Sequence, residues 1–249
     1  MKQYFSIFAL SARSTLFKLL GIIALMGAAE IAMFYFAMEK ESYGILLEEL
    51  MQQSKVQLAF GVGFILYYVV LIGGFSGKHP SKSAMTTSRL GIKESSVSWV
   101  IAIYNMCTLI IFLAAQLGIV LILCKMYLSS DLAGDYQHTL FIAFYRNGMM
   151  HGLLPLEDYG AYVENIIYIL SLGICGSCTS LKQRKGKSDV SAVLAAIIVA
   201  LSFCGRANYF TIFGYGMIVI FFASYGAYYI SKGGATDEDE DETAAPELA

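Results

Sequence analysis

Glu30 is the one carboxylate set well inside a long apolar run of this chain. A carboxyl group in such surroundings can bind and release a proton, and an ionisable residue within an apolar span is a functional candidate by default. The same side chain, placed toward one end of its run, can instead reach interfacial water or pair with a neighbouring helix. Asn105 and Gln116 share another apolar run, and their amides can hydrogen-bond between helices as structural glue or face a polar path. Arg146, with Asn147 and Gly148, interrupts a further apolar stretch. Glu30, Asn105, Gln116 and Arg146 are therefore the candidates for a translocation path.

Other chemistry is thinly represented. His79, His138 and His151 never adopt a metal-ligand spacing, and no G-x-S-x-G elbow occurs. Gly77-Lys78 has the ring of a phosphate loop, but His79 stands where Ser or Thr is required and Ile72 where the upstream glycine is required. Cys175 and Cys178 form C-x-x-C among Gly173, Gly176 and Ser177, a set of small residues that lets another helix approach closely. All five cysteines lie in or at the ends of apolar runs, unlike a disulfide framework. Basic residues lack the aromatic interleaving of a nucleic-acid surface. No catalytic residue, metal site, cofactor or nucleic-acid partner is assigned to this chain.

The elements that must position these residues are six apolar stretches, at about 17–36, 57–75, 97–126, 162–180, 190–204 and 209–230. Apolar residues make up 57% of the chain and mean hydropathy is +0.62, well above an ordinary soluble domain. A spanning helix needs about 20 apolar residues, and hydrocarbon tolerates no unpaired backbone groups. The expected fold is an all-α polytopic membrane protein with six transmembrane helices, forming one transmembrane domain over residues 1–232. The third stretch exceeds the span of a bilayer core, so it must tilt, kink or project. The fifth is short for a crossing. Residues 2–16 mix apolar and charged side chains and predict a separate in-plane amphipathic helix. Small residues at Gly27–Ala29 resemble a signal cleavage site, but the apolar run continues past them to Phe36, which predicts a retained span.

Charge sets the expected orientation. Lys2, Arg13, Lys18, Lys78, Lys82, Arg89, Lys93, Lys182, Arg184, Lys185, Lys187 and Lys232 fall on one side, twelve of the 17 basic residues. The positive-inside bias then places both termini in the cytoplasm of a multi-pass protein of the cell inner membrane, where the basic face meets lipid headgroups. Residues 233–249 carry six consecutive acids, Asp237–Glu242, and predict a disordered cytoplasmic tail. A short amphipathic helix is expected outside over 39–55, and short helices resting on or dipping into the outer leaflet are expected within 127–161. Arg206, in the 205–208 connection, is expected to anchor a hairpin tip.

The segment Thr86–Asn105, TTSRLGIKESSVSWVIAIYN, resembles the second–third cytoplasmic connection of six-span ATP-binding-cassette exporter permeases. In that family a short coupling helix leads straight into the third span, and Arg89, Leu90, Ile92 and Glu94 stand at matching positions. Phe144–Gly160, FYRNGMMHGLLPLEDYG, is similar to permeases that gut Firmicutes encode beside an ATPase gene. The likeness covers most of the chain in layout but only these two segments in motif, and the long 127–161 segment departs from it. The resemblance implies a permease subunit driven by a separate cytoplasmic ATP-binding subunit, which holds the ATP and magnesium, together with a second permease chain. The exported cargo is expected to be a peptide, a lipid or another hydrophobic compound. Arg89, Leu90, Ile92, Lys93 and Glu94 are then the ATPase-coupling residues. A non-transporting accessory or sensor protein, and an ion-coupled carrier using Glu30, are the alternatives.

Overall fold

A computed structural model describes residues 2–40, 45–74, 93–130, 140–156, 159–204 and 209–233. Among the described residues the chain is helical, with no strand. The elements are α1 (Lys2–Lys40), α2 (Leu47–Gln53), α3 (Val56–Gly73), α4 (Glu94–Leu128), α5 (Leu140–Arg146), α6 (Gly148–Leu153), α7 (Tyr159–Arg184), α8 (Ser191–Cys204) and α9 (Tyr209–Ser231). Five of these, α1, α3, α4, α7 and α9, are long and apolar enough to cross a membrane. At 14 residues, α8 is shorter. The 205–208 connection with Arg206, and the tail beyond Gly233, lie outside the described residues.

The expected break between an in-plane helix and a first span is absent. Instead α1 runs uninterrupted for 39 residues, about 58 Å. The cause is a single buried stripe along its length: Ile7, Ser11, Thr15, Leu19, Met26, Glu30 and Phe34. These positions recur every three to four residues or a whole multiple of turns, the period that keeps one helix face on its neighbours. Ser11 and Thr15 fit that apolar stripe because each hydroxyl donates to a carbonyl one turn back, Ile7 O and Ser11 O.

Interhelix contacts fix the directions. Thr15 meets the Tyr104 hydroxyl at 2.6 Å and Glu30 meets Gln116, so α1 and α4 run parallel. Thr15 also lies against Gly74 while Met26 lies against Gly63, so α3 is antiparallel to α1. Asn105 reaches Gly173 O and Ser177 reaches Ser98 O, which makes α7 antiparallel to α4. A Cβ on Gly63 would sit 2.3 Å from Met26 Sδ, and one on Gly173 would sit 2.4 Å from Met106 Cγ. A side chain at either position would force its neighbour to shift, and at Gly173 this agrees with the small-residue reading of that run.

α4 is the axis of this bundle. It spans 35 residues, about 52 Å, and is hydrogen-bonded on both flanks. Toward α3, Tyr67 donates to Thr108 O at 2.8 Å; toward α7, the Arg184 guanidinium donates to Ser98 Oγ at 3.3 Å. Phe60, Phe64, Tyr67 and Phe112 form an aromatic core between α3 and α4, with ring centroids 4.6–6.2 Å apart, and Phe203 of α8 closes it edge-on.

At the Leu128 end of α4 sit the short helices. α2 buries Leu47, Leu50 and Met51, and the Tyr127 hydroxyl donates to Ile45 O just before it. The interruption at Arg146, Asn147 and Gly148 is a real helix boundary. Asn147 caps α6 by accepting from the Met149 and Met150 amides, which satisfies donors that a helix start leaves free.

Candidate functional site

Two of the four path candidates meet. Gln116 Nε2 donates to Glu30 Oε2 at 2.8 Å, and both side chains are fully buried. α1 delivers Glu30 from its buried stripe, and α4 delivers Gln116 one turn beyond Phe112, on the same face. A Cβ on Gly27 would lie 2.9 Å from Ile119 Cδ1, so an α4 side chain rests on the α1 backbone within a turn of the pair. Glu30 Oε1 and Gln116 Oε1 have no partner among the described residues. No described lysine, arginine or histidine forms an ion pair with Glu30.

The other two candidates stand apart. Asn105 lies eleven residues before Gln116 on α4, about 16 Å along the axis. Its Nδ2 donates to Gly173 O at 3.4 Å, and its Oδ1 is buried without a partner among the described residues. Arg146 pairs with Glu48 at 3.2 Å across α5 and α2, with over half its side chain in the open. Exposed pairs of this kind contribute little to stability. Among the coupling residues, Arg89, Leu90 and Ile92 lie outside the described residues. Lys93 is exposed at the start of α4, and Glu94 in its first turn faces Lys185 at 4.0 Å.

Sequence reasoning missed a second polar centre, at the Glu94 end of the bundle. Asp189 Oδ2 accepts from Lys182 Nζ at 3.0 Å and from Thr179 Oγ1 at 3.3 Å, while its Oδ1 accepts from the Ser191 amide at 3.0 Å. Lys182 also lies over the rings of Tyr225 and Tyr229, 4.6 and 5.2 Å from their centroids. Burial alone would raise the Asp189 carboxyl; the Ser191 N–H and the Lys182 ammonium outweigh it and hold the group below its ordinary range. The signal was present in the sequence. Asp189 is the lone acid in a connection carrying Lys182, Arg184, Lys185 and Lys187, and it directly precedes an apolar run.

Between Phe64, Leu109, Asn165, Tyr168 and Val199 lies a cavity of about 10 Å³, room for roughly one water. Tyr168 donates to Glu164 and also meets Ser202 of α8. Cys175 and Cys178 are buried free thiols, and a Cβ on Gly226 of α9 would touch Cys178 Cβ at 3.2 Å. Among the described residues, no cluster of His, Cys, Asp or Glu could hold a metal ion.

Five long apolar helices, packed through glycine contacts and interhelical hydrogen bonds, define a multi-pass α-helical membrane protein. No family model, curated protein or solved structure matches the chain.

Proposed function

We propose that the chain is the membrane-spanning permease subunit of an ATP-binding-cassette exporter, working beside a second permease chain and driven by separate cytoplasmic ATPase subunits. The observation that carries this reading is α4. One rigid rod begins at Lys93 and Glu94, directly after the segment that resembles a coupling helix, and its middle is fastened to α1 and α7. Displacing its Glu94 end by an ATPase would move both flanking helices together. Leu90 and Ile92 would enter a groove on that ATPase, with Arg89 and Lys93 pairing acids at its rim.

Six crossings of the cell membrane fit the packing, with α8 as the fifth. Asp189, just before α8, bonds Thr179 beside Ser180, whose hydroxyl reaches Ile72 O; Cys204 at its other end bonds Gln57 O. α8 thus runs between the levels that α3 spans from Ile72 to Gln57. With alternating directions, both termini fall on the basic, cytoplasmic side. The cargo is a peptide, lipid or hydrophobic compound.

The test is a mild-detergent pull-down of tagged full-length chain from its host, followed by mass spectrometry. A Walker-motif ATPase that co-purifies, and is lost from a Leu90→Asp/Ile92→Asp variant that still inserts, supports the proposal. Recovery of the intact chain without an ATPase overturns it. The buried Glu30–Gln116 pair favours a second reading, an ion-coupled carrier, which predicts transport by the purified chain alone in vesicles bearing a proton gradient.

A further inference from the structure

Glu30 and Gln116 are one hydrogen short of a closed arrangement. The carboxamide already donates to Glu30 Oε2, which leaves two buried oxygens, Glu30 Oε1 and Gln116 Oε1, with no donor among the described residues. An ionised carboxylate here would keep one oxygen bare in an apolar setting, with no cation among the described residues to balance it, which is strongly unfavourable. One added proton removes the charge. It also turns Glu30 Oε1 into a donor, and Gln116 Oε1 is the vacant acceptor on the same partner.

We propose that Glu30 is a buried proton-binding site, occupied in this conformation, and that the neutral carboxyl and the Gln116 carboxamide form a reciprocal acid–amide clasp between α1 and α4. The balance is simple: Glu30–COOH gives a carboxylate and a proton, and the proton leaves to water. Water reaches the pair only if α1 and α4 part, because Gly27 against Ile119 and Gly63 against Met26 close α1 onto α4 and α3 within about a turn or two. Proton occupancy is thereby tied to the spacing of the two helices.

The groups facing Glu30 agree with a proton rather than a metal cation. From α4 comes the neutral Gln116; from α8 the Cys204 thiol lies within electrostatic reach, itself donating to Gln57 O. Of the other elements packed against α1, α3 carries the buried Phe60, Gly61, Gly63 and Phe64, and α2 carries the buried Leu47, Leu50 and Met51. Its Glu48 is turned to Arg146. A hard cation takes about six oxygen ligands, whereas two oxygens stand open here.

Infrared difference spectroscopy of the full chain in lipid nanodiscs tests this. Wild type minus Glu30→Gln at neutral pH is expected to show the carbonyl band of a protonated carboxyl and no carboxylate band. Gln116→Leu is expected to shift that band to higher frequency, because the carbonyl loses its donor. Should Glu30→Gln fail to fold, Glu30→Asp keeps an acid and moves the same band. A carboxylate band at neutral pH overturns the proposal. So does a protonated band that appears only when sodium is replaced by choline, which would make the site a cation site.

Discussion

Glu30 and Asp189 are the same chemistry in opposite surroundings. Asp189 sits at the Glu94 end with an ammonium, a hydroxyl and a backbone amide all donating to it, in a connection outside the spans. Glu30 sits inside the bundle with one amide and a bare oxygen. At Asp189 the fold satisfies a charge, so the carboxylate is part of what holds α7, α8 and α9 together. At Glu30 the fold withholds the partners a charge would need. A buried acid with complete partners stabilises a junction; one with incomplete partners is a place where protonation and helix packing are linked.

Four substitutions test this contrast. Lys182→Met should have the largest effect, about 3 kcal/mol, because it leaves the nearly buried Asp189 carboxylate without its cation; a large drop in melting temperature of the detergent-solubilised chain is the readout. Asp189→Asn should cost about 2 kcal/mol, since the amide cannot hold Lys182 and the Ser191 N–H as the carboxylate does. Glu30→Gln keeps the shape of the protonated side chain and should cost about 1 kcal/mol or less by the same assay. Smallest is Arg146→Ala, about 0.5 kcal/mol or less, because that ion pair is open to water. A Glu30→Gln loss as large as that of Asp189→Asn would erase the distinction between the two acids.

How far the sequence foretold this varies by region. The long apolar runs made the helical membrane class legible, and Gly173 appears where small residues were expected to bring helices together. Glu30 and Gln116 each stood out, but their meeting depends on α1 and α4 running parallel in one register, which no local pattern encodes. The extent of α1 was hidden by Ser11 and Thr15. Their polarity reads as headgroup contact, whereas in the bundle each hydroxyl satisfies itself on the preceding turn and leaves the stripe dry enough to bury. Asp189 escaped notice because a polar connection is where an acid draws least attention.

The most direct measurement is the pH dependence of thermal unfolding for wild type, Asp189→Asn and Glu30→Gln, side by side in the same detergent. The Asp189 carboxyl is depressed in the folded chain, so its contribution is present above the ordinary carboxylate range and is lost as pH falls through the folded value. Asp189→Asn is expected to flatten the acid side of the wild-type profile, and Glu30→Gln to leave that side unchanged. An acid limb that disappears in Glu30→Gln and survives in Asp189→Asn would contradict and reverse the two assignments.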